Sequence, residues 1–188
     1  MTPSSSLTAG GSSPATATAS SPFQPGGGTG CFALLASRFN DLIVDRLIHG
    51  AREALRQYGI ADDRVELIRV PGSWELPLAA LHLARSGRYV AIVCLGCVLR
   101  GQTDHYQYVA NAAAQGLARV ALDTGIPIGF GVLTCETLEQ ALDRAGGKAG
   151  NKGAEAALAA LEMVRLLPQL TVPSPATAVP SGSPGCSK

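Results

Sequence analysis

Four short runs of almost unbroken apolar character, Cys31–Ser37, Val65–Val70, Tyr89–Leu95 and Pro127–Leu133, constrain the fold of this chain more than any other feature. A strand that is apolar on both faces must be covered on both, as happens in parallel sheets flanked by helices. Between the runs the pattern turns helical. Leu42, Val44, Leu47, Ile48, Ala51, Ala54 and Leu55 recur at helical spacing, and Gly59 supplies the stop. Ser73 is placed to cap a second helix reaching Ser86, with Gly87 after it, and a third runs from about Asp104 to Asp123 ahead of Gly125. Thr137 and Gln140 have the spacing of a capping box before Leu138, Ala141 and Leu142. Strict alternation of strand and helix predicts a three-layer α/β/α sandwich around a four-stranded parallel sheet.

Composition sets the limits of that domain. Residues 1–30 are almost entirely Ser, Thr, Pro, Ala and Gly with no charged side chain, and 168–188 return to the same mixture, so both ends are expected to be disordered. The folded unit is then 31–167, one domain, with no internal repeat. A net charge of +1 gives no global field to gather nucleic acid or an anionic membrane, so an anionic ligand must be gripped locally. The longest apolar run, Tyr89–Leu95, falls far short of the roughly 20 residues that span a bilayer. The first thirty residues lack Lys, Arg and an apolar stretch, which predicts neither secretory signal nor transit peptide and leaves the cytoplasm as the expected location.

The five cysteines, an odd number in a chain with ample core, read as reduced thiols. Cys94 and Cys97 form a C-x-x-C in a strand, where residues three apart face opposite ways, which argues against redox chemistry. His49, His82 and Cys135 show no metal-ligand spacing. Two glycine-rich stretches are decoys. Gly26–Gly30 precedes its strand instead of following it, and Gly146–Gly153 follows a helix, so neither has the strand–loop–helix context of a nucleotide loop.

Ligands of such sheets sit at the carboxyl ends of the strands. That rule selects Arg38–Asn40, Pro71–Glu75, Gly96–His105 and Thr134–Thr137. Gly96 to His105 reads as a turn leaving a buried strand and entering a helix. Its glycines at 96 and 101 would let backbone approach a ligand, while Gln102 and Thr103 would offer amide N–H groups at the positive end of the helix, as an anion site requires. His105 falls in the first helical turn beside it, either as a proton carrier or as a plain helix residue. Phe39 and Trp74 fall just past strand ends, and Phe130 lies between Gly129 and Gly131, neighbours too small to cover its faces; together they suggest a slot for a flat ring. Glu75 is either an acceptor for ligand hydroxyls and ring N–H groups or a helix-capping residue, and Arg144 either forks onto phosphate or complements a helix dipole.

These segments, in order, resemble the motifs of the lumazine synthase family over about 31–167: Ser37–Asn40, Val70–Pro77, Leu95–Gly96 with Val98–Gly101 and Thr103–Tyr106, and Arg144–Gly146 with Lys148–Gly153. The resemblance implies a flavodoxin-like fold and the condensation of 5-amino-6-(D-ribitylamino)uracil with 3,4-dihydroxy-2-butanone 4-phosphate, without cofactor or metal. It further implies that Phe39 and Phe130 pack on the pyrimidine, and that Ser73, Trp74 and Glu75 hold pyrimidine and ribityl chain. Cys97, Val98 and Leu99 would line the same substrate with backbone groups. Gln102, Thr103 and Arg144 would take the phosphate, and His105 would transfer the proton. It implies a homopentamer whose site is closed by the neighbour's Phe130, with twelve pentamers forming a 60-subunit shell in some members, and riboflavin synthase as a partner. Pro22, Pro25 and Gly26–Gly28 depart from the pattern, being poor formers of the extra N-terminal strand many members have. Gln102 and Gly147 also depart from the usual residues there.

Rival expectations are the archaeal type of riboflavin synthase, a non-catalytic shell or flavin-binding protein, and a flavodoxin-like carrier. The length of the match disfavours the first, His105 with the phosphate-binding groups the second, and the absence of an acidic cluster at the strand ends the third.

Overall fold

A computed structural model describes residues 30–170. In chain order the elements are β1 (Cys31–Ser37), α1 (Asp41–Gln57), β2 (Val65–Val70), α2 (Leu76–Arg85), β3 (Tyr89–Leu99), α3 (His105–Thr124), β4 (Ile128–Cys135), α4 (Leu138–Arg144), a small hairpin of β5 (Ala145–Gly147) and β6 (Gly150–Asn151), and α5 (Lys152–Leu170). Strands β1 to β4 form one parallel sheet in the order β2-β1-β3-β4. The expected three-layer flavodoxin-like sandwich is therefore the observed one. Alternate residues of β3 divide between two cores. Ala91, Val93, Leu95 and Cys97 pack with α1 and α5, whereas Ile92, Cys94 and Val98 pack with α2 and α3. Cys94 and Cys97 thus face opposite ways, as their spacing requires.

Ser73 does not cap α2, which starts at Leu76 with no side-chain cap bond at its N-cap, Glu75. Three larger features depart from the sequence reading. First, β3 does not stop at Gly96; its ladder with β4 continues through Cys97↔Leu133, Val98↔Thr134 and Leu99↔Cys135. Only Arg100 to Asp104 form the turn. Second, the carboxyl-terminal helix α5 was not anticipated. Its buried side is made of Gly153, Ala156, Ala157, Ala160 and Leu161, small residues that hardly register as an apolar stripe. Third, α5 runs to Leu170, so the boundary placed at 167 falls inside its last turn, with Pro168 within the helix. The rest of the 168–188 tail and, Gly30 apart, the 1–30 extension lie outside the described residues, as do residues 26–29 of the first decoy.

The second decoy, Gly146–Gly153, is the hairpin and the start of α5. There Asn151 caps α5, its Oδ1 accepting from the N–H groups of Gly153 at 2.9 Å and Ala154 at 3.2 Å, while its Nδ2 donates to the Arg46 carbonyl at 2.8 Å. The anticipated cap of α4 is also present, Thr137 Oγ1 accepting from Gln140 N at 3.2 Å. The Gln140 side chain reaches back to Glu136 N at 3.0 Å, one residue earlier than the capping-box pattern places it.

Candidate active site

Unequal strand lengths create the site. β1 pairs with β3 only as far as Ala36↔Leu95, but β3 continues to Leu99 with β4 as its remaining ladder partner. Past Leu95 the β1 side of β3 therefore opens, and a cleft of about 340 Å³ occupies the space. Phe39 from the β1–α1 connection, Gly72, Ser73 and Trp74 from the β2–α2 connection, Cys97, Val98 and Leu99 from β3, Gly101 and Thr103 from the turn, and His105, Tyr106 and Val109 from α3 line it. The strand-end rule brings most of the expected residues to one place.

Phe39 is 70% and Trp74 59% exposed, so two aromatic faces stand uncovered at the cleft. Phe39 is held through backbone, its N–H donating to the Pro71 carbonyl at 3.1 Å, next to Arg38 N–H on Val70 O at 2.8 Å. Ser73 is nearly buried. Gly96, expected to admit a ligand, instead admits Ser73: a Cβ there would lie 2.6 Å from Ser73 Oγ and 3.4 Å from Ser37 Oγ. Gly101 has open space where its Cβ would be, which suits close approach of a ligand. His105 is the first residue of α3 and exposed.

The turn is tethered at its start. Arg100 N–H donates to the Cys135 carbonyl at 2.9 Å. The Arg100 guanidinium pairs with Glu136 at 3.1 Å and lies 5.8 Å from the centre of the Tyr106 ring. Cys97 borders the cleft while its side chain belongs to the α1/α5 core, and burial, reinforced by Cys135, pushes its thiol up to about 12. It is protonated at neutral pH and has no character of a nucleophile.

Four expected site residues fall outside this cleft. Glu75 turns back to accept from Gly72 N–H at 2.8 Å, the capping role. Gln102 is exposed on the turn without lining the cleft. Arg144, exposed at the end of α4, donates to the Gln140 carbonyl at 3.0 Å. Phe130, half exposed on β4, lines a separate apolar groove of about 300 Å³ with Ala114, Leu117, Ala118 and Ala121 of α3. Sequence reasoning gave Tyr106 and Val109 no site role, although Val109, one turn on from His105, shares its helical face. It also left Asn40 without a role.

Fold and cleft together define a parallel α/β protein with an aromatic, strand-end cleft and a histidine at the start of the helix beside it. The sequence profile of 6,7-dimethyl-8-ribityllumazine synthase matches residues 30–168. A protein of that name from Halorhodospira halophila (strain DSM 244 / SL1) is 60% identical over 139 residues, 74% of this chain and 89% of the relative. Relatives of the same name from Nitratidesulfovibrio vulgaris strains DP4 and DSM 19637 / Miyazaki F are 53% and 52% identical with the same coverage. The chain belongs to the 6,7-dimethyl-8-ribityllumazine synthase family.

Proposed function

We propose that the strand-end cleft is one half of the site at which this enzyme, a transferase of riboflavin biosynthesis, makes 6,7-dimethyl-8-ribityllumazine. The penultimate step of that route joins 5-amino-6-(D-ribitylamino)uracil to 3,4-dihydroxy-2-butanone 4-phosphate and releases phosphate and water. The pyrimidine lies against Phe39, with Ser73, Trp74 and Glu75 toward its ring and ribityl chain, and the backbone of Cys97, Val98 and Leu99 forms the floor. Gln102 and Thr103 receive the phosphate at the start of α3, where unpaired N–H groups favour an anion.

The substrate's own amine attacks the ketone, so no activated side-chain nucleophile is needed. Catalysis is then chiefly alignment, which supplies up to about 7–11 kcal/mol when reacting atoms are held in near-attack geometry. His105 moves protons for the condensation and for loss of phosphate, typically worth about 10²–10⁴-fold.

The observation that carries the proposal is the separation of the two aromatic elements. Phe39, Ser73, Trp74, Thr103 and His105 share one cleft, while Phe130, in the groove between β4 and α3, and Arg144, at the end of α4, lie outside it. A second subunit presenting its own β4–α3 groove would supply the missing ring. On this reading the chain works as a homopentamer in the cytoplasm, with riboflavin synthase as the partner that takes its product.

Complementation tests it. Phe39→Ala and Phe130→Ala chains, each crippled alone, are co-assembled in equal amounts. In a statistical ring about one interface in four joins two intact halves. Lumazine absorbance and phosphate release should therefore recover toward about a quarter of the parent rate. Activity no higher than the mean of the two separate variants would place the whole site in one chain.

A further inference from the structure

Asn40 stands where the cleft is made. It carries the one positive φ among the described non-glycine residues, 59°. Left-handed backbone is costly for most side chains and least so for Asn and Gly. Here it starts α1, the Asn40 carbonyl accepting from Ile43 N at 3.0 Å and Val44 N at 3.1 Å. Its side chain has no capping bond to that helix. Instead Nδ2 crosses to the Cys97 carbonyl, 2.8 Å away and 57 residues on in sequence.

That carbonyl lies where β3 has run past the end of β1. A further β1 residue would ordinarily supply the N–H, and a buried carbonyl left without a donor is unfavourable. The Asn40 amide takes the place of the missing strand. Because Phe39 precedes it directly, the same bond fixes the span between the exposed Phe39 ring and the floor at Cys97 to Leu99.

We infer that Asn40 is a positioning residue that holds the Phe39 wall against the end of β3 and so sets the width of the ring-binding slot. The inference rests on the proposed seating of the pyrimidine against Phe39. Asn40 acts through the ring, without needing contact with the reacting atoms. Glycine at this position would accept the same backbone conformation but could not bridge to Cys97.

The lone tryptophan of the chain, Trp74, lies in the cleft and reports occupancy by its fluorescence. The assembled protein is titrated with 5-amino-6-(D-ribitylamino)uracil in four forms: parent, Asn40→Gly, Phe39→Ala and the double variant. Asn40→Gly should raise the Kd about tenfold, the scale of one lost buried hydrogen bond. The KM for the butanone phosphate should change less than about twofold, since its groups sit across the cleft on the α3 side. In the Phe39→Ala background the further effect of Asn40→Gly should vanish, because the wall it holds is gone.

Equal effects of Asn40→Gly in both backgrounds, or none in either, would overturn the positioning role. A Phe39→Ala variant that binds the pyrimidine normally would sink the seating itself, and this inference with it. Equal loss toward both substrates in Asn40→Gly would indicate general slackening of the fold and equally refute the claim.

Discussion

Substituting alanine for Gly96 should test whether the cleft wall is built by exclusion of a single methyl group. Gly96 has no left-handed φ, so room and not backbone freedom is what the position demands. An added Cβ would lie 2.6 Å from Ser73 Oγ, 3.4 Å from Ser37 Oγ and 3.5 Å from Leu76 Cδ1. Ordinary contact requires Ser73 Oγ to retreat by roughly 0.8 Å. A hydroxyl can do this by rotating about one bond, so the cost belongs in the lower part of the overpacking range, about 1–2 kcal/mol. For a domain of this size that lowers Tm by roughly 3–8 °C. The rotation moves the Ser73 hydroxyl out of its seat against Gly96, and because Ser73 lines the cleft, pyrimidine affinity measured through Trp74 should fall. The double variant Gly96→Ala, Ser73→Ala removes the colliding oxygen. It should melt within about 1 °C of Ser73→Ala alone, yet stay weak in binding. Gly101→Ala, with open space at its Cβ, should leave Tm unchanged. If the double variant melts as low as Gly96→Ala, the collision lies elsewhere and the account of Gly96 is wrong.

Two further outcomes are expected. His105→Ala should slow turnover by about 10²–10⁴-fold while leaving lumazine formation detectable and pyrimidine affinity close to the parent's, because alignment survives the loss of the proton carrier; complete inactivity in a correctly assembled variant would refute that division. Alkaline stability should follow the buried thiols. Burial raises Cys94 strongly, and burial together with Cys135 pushes Cys97 from 9.0 to about 12. Between pH 9 and 12 the unfolded chain releases these protons and the folded chain keeps them, so stability present below pH 9 is lost as pH rises, by about 1.4 kcal/mol per pH unit for each thiol. Urea midpoints measured across that window should fall, and Cys97→Ala should make the slope shallower; an unchanged slope would show that the thiol does not titrate as its burial demands.

The parallel sheet was legible because four doubly covered strands leave a pattern that little else produces. Two strands kept their expected limits, Cys31–Ser37 and Val65–Val70. β3 outran its expected end because a glycine in sequence looks like a stop, whereas Gly96 within a paired ladder is a gap that Ser73 fills. Helix α5 stayed hidden because its contact with α1 is one of backbones. Gly153 lies so close to Leu47 that a Cβ would stand 2.7 Å from the Leu47 carbonyl carbon, and such close seating needs small residues, not the large ones that periodicity detects.

Gly129-Phe130-Gly131 shows most clearly why the place of Phe130 could not be read from the sequence. In sequence the glycines look like space left for a ring stacking on Phe130. In the fold, strand alternation turns both glycines away from Phe130, toward α5. A Cβ on Gly129 would strike Ala156 of that helix, and one on Gly131 would lie 2.7 Å from Leu95 Cδ2 and 3.2 Å from Ala156 Cβ. Their smallness lets α5 settle on the edge of the sheet. The same alternation sends Phe130 to the opposite face, beside the alanines of α3 and outside the chain's own cleft. A strand at the edge of the sheet, with its large aromatic side chain left half exposed, leaves unpartnered area that folding of a single chain does not cover. On the proposed function, a slot built from Phe39 and Phe130 would need a second chain, because the direction of Phe130, fixed by the strand alternation that turns Gly129 and Gly131 toward α5, takes it out of this chain's cleft.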